Sequence, residues 1–210
     1  FDNTPRQPKP KWFKRYMQKQ WHDFVAHPNV KIIAVTSVVA ESVKQEVGIE
    51  ASVIPHAVPE VFFQAGGNRT LREASSLKLL YVGEVSAKKG IKVLMNLMTQ
   101  LTDSEITLTI VGNGPIVTQI KAGAENITYL GPIYDRKKLA KVMADHDVLM
   151  LLSQKTSTWE ELFGIVIVEA IAAGCAVIAS NHIGPRGILA SVGGQGLFDE
   201  KDLEGVLKLV

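Results

Sequence analysis

From residue 77 onward, short and almost continuously apolar runs alternate with stretches in which apolar residues recur every three or four positions. The runs predict strands at Leu77 to Gly83, Ile106 to Gly112, Ile127 to Gly131, Val148 to Ser153 and Ala176 to Ser180. The periodic stretches predict helices at Ile91 to Leu101, Ile116 to Ala124, Arg136 to His146 and about Gly164 to Ala173, with Asp135 as N-cap of the third. Segments such as Leu-Lys-Leu-Leu-Tyr-Val-Gly and Val-Leu-Met-Leu-Leu suit a parallel sheet covered on both faces, so a doubly wound, Rossmann-like α/β domain is expected. By their own chemistry the four β-branched residues Ile165 to Val168 fit a strand equally well; the helix follows from the alternation around them.

Before residue 77 the pattern changes. Val30 to Thr36 reads as strand, Val38 to Val47 as helix and Ala51 to Pro55 as strand, and then residues 57–76 lose periodicity, with Gly66-Gly67-Asn68-Arg69 and Ala74-Ser75-Ser76 resembling a linker. The expected organisation is residues 1–57 as the end of a partial Rossmann-like domain, 58–76 as linker and 77–210 as a second domain. The first block is too small for a whole domain and the chain opens on Phe1, so a piece of a longer protein is expected.

With 46% hydrophobic and 21% charged residues the chain is a globular protein with a sizeable core, and its formal charge of +2 selects no partner. The single Cys175 allows no intrachain disulfide and reads as a buried, inert thiol. Leu162 to Ser180 approaches membrane-spanning length, but Glu169 and Gly174 inside it point to a buried helix followed by a buried strand. The first twenty residues carry Arg6, Lys9, Lys11, Lys14, Arg15 and Lys19 against Asp2, with Trp12, Phe13 and Tyr16 interleaved and Trp21 following. A helix packing these aromatics on its own domain is the plainer reading, and peripheral contact with anionic lipid is the second. No nucleic-acid partner is expected, because no stacking module accompanies the charge.

In open α/β sheets ligands lie beyond the carboxyl ends of the strands. Three turns there carry candidate chemistry. Gly83-Glu84-Val85-Ser86-Ala87-Lys88-Lys89-Gly90 places lysines ahead of a helix, which suits a phosphate, although a solvated basic loop would look the same. Val111-Gly112-Asn113-Gly114-Pro115 is a tight turn lacking the third glycine of a dinucleotide fingerprint, since Val117 stands there. The third is Glu161-Leu-Phe-Gly-Ile-Val-Ile-Val-Glu169, two carboxylates flanking an apolar run. A buried carboxylate there needs a partner, either a hydroxyl-rich ligand or the protein's own groups. If the helix starts near Gly164, the amides of Gly164 and Ile165 face an anion.

The segment Glu161 to Ala170, followed by Ala173-Gly174-Cys-Ala-Val-Ile-Ala, resembles the signature of retaining glycosyltransferases of family four. In the same order Ile54-Pro55-His56 resembles that family's interdomain strand, Gly83 to Gly90 its phosphate loop, Val111 to Pro115 its Val-Gly-x-Gly-Pro turn, and Ile127 to Gly131 its next strand and turn. The resemblance covers residues 30 to 200. It implies a GT-B architecture, two Rossmann-like domains facing a cleft, with the nucleotide sugar on the second and the acceptor on the first. It also implies roles. Glu169 would hold the ribose, Glu161 the transferred sugar, Phe163, Gly164 and Ile165 the sugar and diphosphate through backbone, and Lys89 the diphosphate. Gly83 and Glu84 would belong to the phosphate loop, and Gly112, Gly114, Tyr129, Leu130 and Gly131 would hold the base.

Carboxylates accept ribose hydroxyls, and amides with an ammonium stabilise a leaving diphosphate, so the assignment is chemically coherent. The family uses no bound metal or other cofactor, and no His or Asp cluster with ligand spacing is present in the sequence. The donor would be a nucleoside diphosphate sugar, a UDP-sugar favoured over a GDP-sugar. A glycan or lipid-linked molecule would be the acceptor, in polysaccharide biosynthesis. A cytoplasmic location is expected, with peripheral attachment at the inner face of the membrane left open. Two departures stand out. Glu84 occupies the place of the family's usual arginine, and since two unit charges 4 Å apart interact by about 1 to 4 kcal/mol between water and a near-surface dielectric, a carboxylate beside the diphosphate would cost affinity that an arginine would add. Ala57 and Pro59 replace the usual Gly and Asp. Three functions follow as expectations: a retaining hexosyltransferase, inactive as this piece alone; a non-catalytic homologue binding a nucleotide sugar or a partner, motivated by Glu84; and an epimerase or phosphorylase, whose own phosphate or cofactor residues are not seen. His56 would face the cleft or simply pack.

Overall fold

The computed structural model describes residues 11–69, 76–101, 105–121, 125–157 and 159–208, and expectations for residues 1–10, 70–75 and 122–124 lie outside them. The chain divides into two compact units, Phe1–Pro55 and His56–Val210. In the first, α1 (Lys11–Val25) is followed by β1 (Ile33–Ala34), α2 (Ser37–Val47) and β2 (Ser52–Val53). Thr36 caps α2 by accepting the Val39 N–H at 3.2 Å, and Gly48 closes it in the left-handed region. β1 and β2 pair in parallel over two residues each, much shorter than the expected strands, and among the described residues they form a two-stranded sheet. Trp12, Tyr16, Trp21 and Phe24 of α1 are exposed, which corrects the expectation that its aromatics pack on their own domain.

The second unit opens with a correction. Where pattern-poor linker was expected, residues 60–67 form α3 (Glu60–Gly67), whose Phe62 is fully buried. Then follow β3 (Leu77–Val82), α4 (Ile91–Gln100), β4 (Ile106–Val111), α5 (Val117–Lys121), β5 (Ile127–Gly131), α6 (Arg136–Ala144) and β6 (Val148–Leu151). The chain continues through α7 (Ile165–Ala172), β7 (Ala176–Ser180), α8 (Ile183–Ala190), β8 (Leu197–Phe198) and α9 (Leu203–Leu207). α8, β8 and α9 were not expected from the pattern. Asp135 caps α6 as predicted, accepting the Lys137 and Lys138 N–H groups. Residues 165–168 are helical, so tertiary context overrides their strand propensity.

The six strands run in the order β5-β4-β3-β6-β7-β8, and every pairing is parallel. Both faces are covered. Leu80, Leu149 and Leu151 pack with Ile167, Ala170, Met143 and Phe62, while their neighbours Leu79, Tyr81 and Met150 pack with Leu94, Leu97 and Ile110. This is why the strands read as continuous hydrophobic runs. Successive strands spread outward from β3 in one direction and from β6 in the other, so the topological switch point lies between these two strands. The loop after β3 and the loop after β6 therefore face each other beyond the sheet's carboxyl edge.

Two backbone contacts draw those loops together. The Gln154 N–H donates to the Lys88 carbonyl at 2.7 Å, and Gly90, at φ 78°, passes so close to the end of β6 that a Cβ would overlap the Leu152 carbonyl. Cys175 is buried between α6 and β7, and burial pushes its thiol up to about 11. Two outcomes are expected. Gly90→Ala combines a strained φ with a backbone overlap and should lower the unfolding free energy by about 3 kcal/mol in urea titration. Cys175 should remain unalkylated by iodoacetamide at pH 8 in the native chain and react on unfolding.

Candidate active site

The loop after β3 turns through Gly83 and a 3-10 turn at Ala87–Lys89 before α4. The loop after β6 runs from Leu152 to Gly164, where α7 begins with Gly164 as its left-handed N-cap. Across the switch point, Lys89 Nζ meets Glu161 Oε2 at 2.5 Å, and Ser153 donates to the same oxygen at 3.5 Å. Both side chains are largely buried. Each charge thus has the partner that a buried charge requires.

A cavity of about 480 Å³ opens on this pair. His56, Gly83, Lys89, Glu161, Phe163, Gly164 and Ile165, all singled out in the sequence, line it together, with Tyr81 added. The Ile167 N–H closes onto the Gly164 carbonyl at 2.9 Å, so the amides ahead of it are the donors of a helix N-terminus. Tyr81 donates its hydroxyl to the Glu84 carbonyl at 2.7 Å. Burial, reinforced by the Glu84 and Glu161 charges, pushes this phenol well above its ordinary value, so it stays a neutral donor. His56 stands edge-on to the Phe163 ring, with centroids 4.6 Å apart. A second cavity of about 590 Å³ adjoins the same pair on the side of Lys155, Trp159 and Leu162, and both Lys88 and Lys89 hold their ammonium groups over the Trp159 ring.

Other expected residues lie outside the first cavity's lining. Glu169, 3% exposed on α7, pairs with the guanidinium of Arg136, which also covers the Phe62 ring. Gly112 is packed so tightly that a Cβ would overlap the Gly83 carbonyl, and the Tyr129 hydroxyl donates to the Gly112 carbonyl at 2.9 Å. Gly114 also packs against backbone, where a Cβ would overlap the Val85 carbonyl, and Leu130 is exposed. Glu84 turns toward Lys88, 3.1 Å away on an exposed part of the loop.

Arg136, Trp159 and His182 were missed by the sequence reading. Arg136 had a signal: it is the first residue of α6, where a cation opposes the helix dipole and needs a reason from elsewhere. His182 follows the carboxyl end of β7, next to the switch point, and is buried between Glu161 and Glu200. Glu160 is held below its ordinary value, chiefly by the hydrogen bond from Lys155. Among the described residues no cluster of three or more His, Cys, Asp or Glu stands together for a metal, and no helix is long and apolar enough to cross a membrane. The arrangement can hold an anion against Lys89 and the α7 amides while offering carboxylate oxygens to hydroxyl groups.

Residues 68–208 match the family model described as glycosyl transferases group 1. The chain is 31% identical over 156 residues to a phosphatidyl-myo-inositol mannosyltransferase of Mycobacterium tuberculosis, covering 71% of this chain and 40% of that protein. It is 33% identical over 109 residues to an uncharacterized 41.2 kDa protein in the cps region of Klebsiella pneumoniae, covering 52% of this chain and 29% of that one. It therefore spans well under half the length of these relatives. In structure it resembles WaaG, a glycosyltransferase involved in lipopolysaccharide biosynthesis, with a TM-score of 0.69 at 19% identity over 95% of this chain and 58% of that one. HepE of Anabaena, solved with UDP and glucose, gives 0.63 at 19% identity over 96% and 59%. At these identities the likeness shows the fold, the parallel-sheet architecture of GT-B proteins.

The Arg136 pair should be measurable by a double-mutant cycle. Arg136 is half exposed, so Arg136→Ala should cost about 1 kcal/mol in urea denaturation, and the same change made on Glu169→Gln should cost measurably less.

Proposed function

Because the chain belongs to the group 1 glycosyl transferases, we propose that it carries the donor-binding part of an enzyme moving a hexose from a nucleoside diphosphate sugar to a glycan or lipid-linked acceptor with retention. The single observation that carries this reading is the meeting of Lys89, Glu161 and the Phe163–Ile165 backbone in one cavity at the switch point. A diphosphate placed there finds an ammonium and the N-terminal amides of α7. As the anomeric carbon–oxygen bond breaks, its electron pair goes to the β-phosphate oxygen, and these donors stabilise the growing charge. The acceptor hydroxyl attacks on the same face and its proton passes to the leaving phosphate. Glu161, already held by Lys89, orients sugar hydroxyls rather than attacking carbon, and Glu169 takes the ribose hydroxyls with Arg136 as its resting partner.

UDP is the favoured nucleotide, supported by the UDP and glucose in HepE; a lipid-linked acceptor is supported by the names of the mannosyltransferase and WaaG relatives. The exposed aromatics and basic residues of α1 support peripheral contact with anionic lipid at the cytoplasmic face. Glu84 is compatible with donor binding because Lys88 neutralises it, leaving Lys89 for the phosphate. The non-catalytic reading keeps one argument, that the same pairing withholds Lys88 from the anion.

Isothermal titration with UDP, GDP and ADP tests this. UDP should bind, and Glu169→Ala should weaken it by about tenfold, near 1.4 kcal/mol. A folded chain that binds no nucleotide overturns the transferase reading. If Glu84→Arg then creates binding in a silent wild type, the non-catalytic reading takes its place.

A further inference from the structure

We propose that His182, with Glu200, is a positioning residue that sets the backbone of the Glu161 loop for the donor's sugar. The proposal rests on the transferase reading of the site. The loop from Lys155 to Glu161 leaves the end of β6 and returns to α7, and its two ends are pinned by one connected set of hydrogen bonds. The Glu161 N–H donates to His182 Nδ1 at 3.1 Å. An amide only donates, so Nδ1 carries no proton and the ring is neutral with its hydrogen on Nε2. That hydrogen faces Glu200 Oε1 at 2.9 Å, and the other Glu200 oxygen accepts the Lys155 N–H at 3.0 Å. Start and finish of the loop are thus tied through a single imidazole and a single carboxylate.

The ring is 1% exposed, so solvent cannot replace it as the acceptor for the Glu161 amide. Neighbouring bonds act in the same direction: the Gly184 N–H donates to the Glu161 carbonyl at 3.0 Å and the Ile183 N–H to Glu160 Oε1 at 3.1 Å. The start of α8 therefore grips the backbone on both sides of Glu161, while the Glu161 carboxylate remains directed at Lys89. His182 stands behind the cavity lining and reaches it through Glu161. Its contribution is to hold the residue that does, and a misplacement of the Glu161 backbone would fall on sugar recognition and spare the nucleotide.

Two substitutions separate this role from simple packing. His182→Asn places an amide oxygen near the position of Nδ1 and keeps the acceptor for Glu161, whereas His182→Gln reaches toward Glu200 and leaves the Glu161 N–H unpaired. In the ligand-free chain, hydrogen exchange at the Glu161 amide should be slow in wild type and in His182→Asn and at least tenfold faster in His182→Gln. In titration, His182→Gln should weaken UDP-glucose by about tenfold and UDP by less than twofold, with His182→Asn close to wild type for both. Equal exchange in all three proteins, or equal losses in the two variants, overturns the proposal, as does a parallel loss of UDP and UDP-glucose. Should His182→Gln fail to fold, His182→Leu takes its place, since it fills the volume and removes the acceptor, with faster Glu161 exchange expected and unchanged exchange overturning it. A wild type that binds none of UDP, GDP and ADP while Glu161 exchange follows the predicted order removes the transferase reading and leaves the hydrogen-bonded link standing.

Discussion

The ion pair between Lys89 and Glu161 is the contact on which the rest of the site depends. It joins the loops after β3 and β6, the two strands from which the sheet spreads in opposite directions. A pair so far withdrawn from water repays its desolvation only where the geometry is close and further hydrogen bonds satisfy the charges, and Ser153 supplies one of these. Gly90 lets the first loop lie against the end of β6, the Gln154 amide ties to Lys88, and the Trp159 ring covers the lysines. The cavity, the α7 amides and Phe163 all follow from where those two loops stop.

The same apolar run carries a second carboxylate with a different cation. Glu169 sits one turn into α7, paired with Arg136, whose guanidinium also covers Phe62, while Glu161 sits outside the helix in a loop held by its neighbours. An incoming ligand meets the two differently. At Glu161 hydroxyl groups can join an existing lysine, whereas at Glu169 they must share or displace a guanidinium from a buried oxygen. This difference in environment, more than the spacing along the chain, separates the proposed sugar and ribose roles.

Much of the scaffold was legible because its signals are local. The strands β3 to β7 announce themselves as unbroken apolar runs, and Asp135 marks the start of α6 by its own hydrogen-bonding chemistry. Residues 60–67 were illegible as a helix. Gly66 and Gly67 are poor helix formers, and α3 is held by burying Phe62 against α6 and α7, which no local pattern reveals. Ile165 to Val168 posed the opposite difficulty, since their β-branched side chains favour a strand and only packing against the sheet makes them helical.

By itself the sequence determined the strands β3 to β7, the helices α4 to α7 between them and the set of residues at the strand ends, because backbone propensity and hydrophobic period act over a few neighbours. Tertiary structure alone decided which cation serves which carboxylate. Lys89 and Glu161 stand 72 positions apart, Arg136 and Glu169 stand 33 apart, and Glu161 and His182 stand 21 apart. Pairings over such separations depend on the order in which the strands are laid beside one another. The Glu84–Lys88 contact differs in kind, since its partners stand four residues apart within a single loop.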